Sequence, residues 1–108
     1  GVTLLLLHQG YALVPVVTVQ LGEPATFTCD LPENRDRRSK LNWYKQNAGD
    51  TLILIVMLQN FAQSAYGPEF SASRLNVMIN NTISTLTILK TTEEDEGMYH
   101  CVLIDWNK

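Results

Sequence analysis

The side chains able to do chemistry in this chain are few. Cys29 and Cys101 are its only two cysteines. Two such thiols either oxidise to a bridge, which persists in an oxidising compartment, or stay unrelated as buried thiols. His8 and His100 are the only histidines, and neither belongs to a metal-ligand spacing. The acid run Glu93-Glu94-Asp95-Glu96 reads as a solvated turn rather than a cation site. No nucleophile motif or glycine-rich phosphate loop appears, so no catalytic residue, metal ligand or cofactor is assigned. Asn80-Asn81-Thr82 matches the acceptor for an N-linked oligosaccharide. Residues 33 to 40 hold Arg35, Arg37, Arg38 and Lys40, half of the chain's 8 basic residues, in a protein of net charge −3. Their guanidinium forks could grip carboxylates on a ligand; the alternative is a solvated loop balanced by its own acids.

Positioning these groups falls to a single domain. With 108 residues and 45% apolar content, the chain is large enough for one core. Its acidic balance gives no general attraction to nucleic acid or anionic membrane, and no run approaches the ~18 apolar residues of a membrane span, so any anchor must lie outside this chain. Strands are announced by alternation and turn residues. The first is read over residues 16 to 21 and the second over 25 to 29, separated by Gly22-Glu23-Pro24. A polar loop over 30 to 40 precedes a third strand over 41 to 46, with Leu41, Trp43 and Lys45 on one face, and a hairpin turn over 47 to 50. The run over residues 52 to 58 does not alternate. A loop with one short edge strand fills 59 to 71, a hairpin over 74 to 79 and 84 to 89 turns at Asn80-Asn81-Thr82, an acidic connection spans 91 to 96, and a last strand runs from 97 to 104. Residues 1 to 12 stand apart. Val2-Thr3-Leu4-Leu5-Leu6-Leu7 followed by Gly10-Tyr11-Ala12 reads as the remnant of a secretory signal or an extra N-terminal segment, leaving 13 to 108 as the domain; the alternative is a long first strand.

Trp43 follows Cys29 by fourteen positions, Tyr99 precedes Cys101 by two, Gly22 lies seven before Cys29, and Asp95-x-Gly97-x-Tyr99-x-Cys101 closes the pattern. With Trp43-Tyr44-Lys45-Gln46, these residues resemble the variable domains of antigen receptors, a Greek-key sandwich of two antiparallel sheets. More narrowly, the stretches 49 to 58, 66 to 74 and 94 to 101 resemble the novel immune-type receptors of bony fish.

The resemblance implies a bridge between Cys29 and Cys101, which would close a loop of about 73 residues and restrict the unfolded chain by ~4 kcal/mol on the loop-entropy view. It implies that Trp43 packs on that bridge, that Tyr99 pins the corner into its strand, and that Arg74 pairs with Asp95 across the base of the sandwich. It implies a last strand opening with Phe-Gly-x-Gly. Here Asp105-Trp106-Asn107-Lys108 stands instead, so that strand is expected to be missing and its neighbour's backbone edge exposed, the alternative being that the apolar residues 2 to 7 occupy the vacant edge.

Function then falls to the surface, since sandwiches host many activities. A strand in a two-layer sandwich turns alternate residues inward, so the doubly apolar run 52 to 58 calls for a second cover. Tyr44, Gln46, Leu52 and Leu54 are expected to face a second copy or a related variable domain. Arg35, Arg37, Arg38, Asn60, Phe61, Asp105 and Trp106 are expected at the ligand-binding end, where interface hot spots favour Trp and Arg. The resemblance thus implies the extracellular recognition domain of a plasma-membrane immune receptor, binding a protein ligand on another cell, with no enzymatic activity. The alternatives are one chain of a T-cell-receptor-like heterodimer and a cell-adhesion module.

Overall fold

In a computed structural model, residues 16–47, 51–59 and 63–105 are described, together with the backbone of residues 4–9. The strands are β1 (Leu4–Gln9), β2 (Val16–Gln20), β3 (Ala25–Asp30), β4 (Lys40–Gln46), β5 (Leu52–Gln59), β6 (Ala65–Tyr66), β7 (Leu75–Ile79), β8 (Ile83–Ile88) and β9 (Gly97–Ile104). One sheet has the order β2-β1-β9-β4-β5-β6 and the other β3-β8-β7. Short 3-10 turns at Ala72–Arg74 and Glu93–Asp95 lead into β7 and β9.

The core follows from the period of two. β4 buries Leu41, Trp43 and Lys45 while Asn42, Tyr44 and Gln46 face outward, and β8 buries Ser84, Leu86 and Ile88. Phe27 on β3 stacks on Tyr99 of β9 with ring centroids 4.3 Å apart. Each large apolar side chain so buried contributes on the order of 2 kcal/mol. Cys29 and Cys101 form the bridge between the sheets, with Cα atoms 6.4 Å apart. Gly22, at φ +90, turns the chain from β2 into β3 and donates its N–H to Thr91 O at 2.9 Å.

Two features depart from the sequence expectations. The first concerns β5. Trp43 pairs with Val56 and Tyr44 with Leu54, so the register slips by one residue and leaves Ile55 as a bulge. Ile55 and Val56 are consequently buried side by side. The bulge, rather than a second cover alone, accounts for the lost alternation, because an extra residue resets which face the strand presents. Leu52 remains 47% exposed.

The second feature lies at the edge of β9, where the alternative reading of the N-terminal run applies. Leu4–Gln9, read in the sequence as part of a leader remnant or extra segment, forms a strand that pairs antiparallel with β2 and parallel with β9. It meets β9 only at Gly97, Met98 and Tyr99. Among the described residues, His100 to Ile104 have β4 on one side and no strand on the other. The edge expected to be vacant is therefore half filled, and by a strand running opposite to the last strand of a hairpin with β9. Residues 1–3 and 10–15 and the centre of the 47 to 50 turn lie outside the described residues.

Candidate functional site

At one end of the sandwich four chain segments are laced together. The loop after β3 begins where Leu31 N–H donates to Thr82 O at 2.9 Å. Arg35 then reaches across to the β7–β8 turn, donating from Nη2 to Asn80 O at 2.6 Å and from Nη1 to Ser39 Oγ at 3.4 Å. Its Nε is buried and has no hydrogen-bond partner among the described residues. Arg35 thus braces the loop from within, through Asn80 and Ser39. Asp36 folds the loop tip: its carboxylate accepts from Arg38 N–H at 2.7 Å and from Arg38 Nη2 at 3.1 Å. The side-chain bond from Arg38, then its backbone N–H, hold the Asp36 carboxyl below the usual carboxylate range, and the same bond raises Arg38.

Asp105, just past β9, accepts the Asp36 N–H at 3.3 Å, and Gln59 at the end of β5 donates to Arg38 O at 3.3 Å. The roots of all three loops thus converge on residues 36 to 38. Arg37 is exposed and Arg38 has 77% of its side chain in water, so these two remain on the open surface. Asp105 is half-buried and works as a tie between loops. Asn60, Phe61 and Trp106, also expected here, lie outside the described residues.

The outer face of the first sheet is ordered by its register into three cross-strand rows. Leu52, Gln46 and Met98 form one, Leu54, Tyr44 and His100 the next, and Met57, Asn42 and Val102 the third. Polar and aromatic side chains of β4 run down the middle, with the apolar column Leu52, Leu54 and Met57 of β5 on one side and Met98, His100 and Val102 of β9 on the other. Gln46 Oε1 lies 3.2 Å from His100 Nε2, and Asn42 Nδ2 donates to Tyr44 Oη at 2.9 Å. Gln46 thus already has a bond within its own domain. Leu52 and Val102, 47% and 41% exposed, are the apolar residues most open to water on this face.

The opposite end holds a lock. Arg74 forks onto Asp95 with bonds of 3.1 and 2.8 Å and also donates to Lys90 O. Asp95 accepts the Thr92 N–H as well, closing the turn before β9. Burial raises the Asp95 carboxyl, but the Arg74 fork and Thr92 outweigh it and leave it below its ordinary value. Tyr99 Oη donates to Asp95 O, and burial first, then the Asp95 charge, pushes the phenol well up. Lys45 Nζ donates to Glu94 O, while burial lowers the ammonium's pKa. A cleft of about 360 Å³ opens here between Lys45, Ile55, Phe70, Arg74 and Tyr99. Of its charged groups, Lys45, Arg74 and Asp95 are spent on closing the base of the sandwich.

The sequence did not single out Ser84. Its Oγ accepts from Trp43 Nε1 at 3.2 Å and donates to Met78 O at 2.7 Å. The signal was a lone hydroxyl in the inward row Ser84, Leu86, Ile88. The Arg35–Asn80 and Asp36–Asp105 ties carried no such signal, because they join segments 45 and 69 positions apart.

Two facing sheets, the inter-sheet bridge under Trp43 and the Tyr99 corner define a variable-type immunoglobulin sandwich. The family model described as "Immunoglobulin V-set domain" matches residues 14–108, and the chain belongs to that family. A chain in the solved structure entitled "Structural basis of T cell specificity and activation by the bacterial superantigen toxic shock syndrome toxin-1" is similar at a TM-score of 0.71 and 17% identity, covering 97% of this chain and 83% of that one. At that identity the likeness speaks to fold alone. V-set domains are receptor-type variable domains, generally extracellular, and typically bind rather than catalyse. No helix among the described residues is long and apolar enough to cross a membrane.

Proposed function

We propose that this chain is the ligand-recognition domain of an immune cell-surface receptor of the novel immune-type class, which pairs with a second copy through the outer face of β4, β5 and β9. The observation that carries it is the three-row outer face, in which the apolar Leu52 and Val102 stay open to water beside Tyr44, Leu54 and Met57. Exposed apolar surface of this kind marks interaction sites. The receptor class rests on the sequence resemblance over residues 49 to 58, 66 to 74 and 94 to 101.

Ligand recognition belongs to the other end, where Arg37 and Arg38 stand on a loop braced from beneath by Arg35 and Asp105. A loop held rigid loses less entropy on binding. The partner is a protein on another cell that offers carboxylates to the two guanidiniums. The test is staining of ligand-bearing cells with a multimerised domain. Arg37→Ser with Arg38→Ser is expected to lower staining at least tenfold with unchanged thermal stability; unchanged staining contradicts the assignment of this loop.

A further inference from the structure

We propose that Asn80 carries an N-linked oligosaccharide, and that this glycan flanks the first loop at the binding end. The inference rests on the reading of the chain as an extracellular domain. Asn80-Asn81-Thr82 satisfies the acceptor rule of Asn, any residue but Pro, then Ser or Thr. What the fold adds is tolerance of the attached sugar and its position.

All three residues are exposed in the turn between β7 and β8. Asn80 Oδ1 accepts from the Thr82 N–H at 2.9 Å, the Thr82 hydroxyl at 3.3 Å and the Ile83 N–H at 2.9 Å. The amide is thereby oriented through its oxygen, while Nδ2, the atom to be modified, makes no hydrogen bond among the described residues. Attachment removes one proton from a nitrogen on which the fold does not depend. In the transfer, Nδ2 forms a bond to the anomeric carbon of a lipid-pyrophosphate-linked oligosaccharide. The bond from that carbon to the pyrophosphate oxygen breaks, the lipid pyrophosphate leaves and the amide proton passes to a base. No redox partner is required.

Position follows from the strand period. Asn76, Met78 and Asn80 are the outward residues of β7 and its turn, and Met78 is 50% exposed. The first sugars rooted at Asn80 lie over that apolar side chain, on the outer face of the second sheet. The face formed by β4, β5 and β9 belongs to the other sheet and is left open. The same turn receives Arg35 Nη2 on Asn80 O and Leu31 N–H on Thr82 O. The glycan therefore stands beside the loop that carries Arg37 and Arg38 and screens one flank of it.

The test uses the full chain expressed behind a secretion leader in mammalian cells, read by mass before and after peptide-N-glycosidase treatment. Transfer precedes folding and export, so the cell-associated pool is read along with the secreted one. The expected result is one digestible glycan with Asn80 converted to Asp on release, lost in Asn80→Gln and Thr82→Ala and kept in Thr82→Ser. Wild-type protein at the unmodified mass, or a glycan persisting in Asn80→Gln, overturns the site. For the placement, trypsin is expected to cut after Arg37 and Arg38 several-fold more slowly in the glycosylated domain than in the digested one; equal rates overturn it. A chain with Cys29 and Cys101 bridged but Asn80 bare defeats this proposal alone, whereas reduced cysteines in the secreted chain count against the extracellular reading.

Discussion

Trp43 carries an indole N–H into the middle of the sandwich, where a buried donor left alone costs about 1–3 kcal/mol. Ser84 meets that donor and passes its own proton to Met78 O. Ser84→Ala keeps the volume nearly unchanged and orphans the indole, so urea denaturation is expected to show a loss of about 2 kcal/mol. In the Ser84→Ala background, Trp43→Phe is expected to cost less than it does alone, because the orphaned donor has gone with the indole. Strict additivity would contradict the bond. Asp95 makes a pH-dependent contribution. Its pKa is depressed in the folded state, so the unfolded chain binds more protons between the ordinary carboxylate value of about 3.9 and the folded one. Its stabilisation is complete above that ordinary value and is lost as pH falls toward the folded pKa. Asp95→Asn is expected to cost about 2 kcal/mol at neutral pH, below the range for fully buried pairs because Arg74 keeps 42% of its side chain in water. The gap between the two proteins is expected to narrow below about pH 4; a constant gap would mean the carboxylate charge is not what matters.

Among the elements, β5 and β6 come together around Gly67. A Cβ built there would sit 2.0 Å from Leu54 O, and the Gly67 N–H donates to Ile55 O at 2.8 Å. Gly67→Ala therefore has to move backbone rather than a flexible side chain, with an expected loss of about 3 kcal/mol or more. Gly22→Ala is the control: nothing lies within 4 Å, and its φ of +90 alone costs about 1–2 kcal/mol. Similar losses at both positions, measured by thermal unfolding, would contradict the close approach. The elements also mark where the sequence was legible. Alternation placed β3, β4 and β8 because each has one wet and one buried face, while Tyr99 and Cys101 placed β9. It failed at β5, where a bulge puts Ile55 and Val56 inside together, and a bulge leaves no sign in a run of apolar residues. It left β1 only as an alternative, since Leu4-Leu5-Leu6-Leu7 has no period and its pairing depends on an edge that only the assembled sheet creates.

At the scale of the molecule, the two ends and the outer face do different work. The base is closed by Arg74, Asp95, Tyr99 and Lys45, and the far end braces an open loop. Cys29, Trp43, Tyr99 and Cys101 made the sandwich readable because their types and spacings serve one local geometry. The site was less readable. Arg35 and Asp105 stand in the sequence as ligand contacts, and their ties to Asn80 and Asp36 were not legible because only the fold brings those residues near. Arg37 and Arg38 keep the role the sequence offered them as a proposal. The outer face is the central claim, and it depends on the rows that join Leu52 to Gln46 and Asn42 to Val102. Sedimentation equilibrium of the chain with its bridge formed, beside Leu52→Glu and Val102→Glu, tests it most directly. The account predicts a concentration-dependent dimer that either substitution returns to monomer without loss of thermal stability, and a strict monomer at high concentration, or a dimer indifferent to both substitutions, would contradict it.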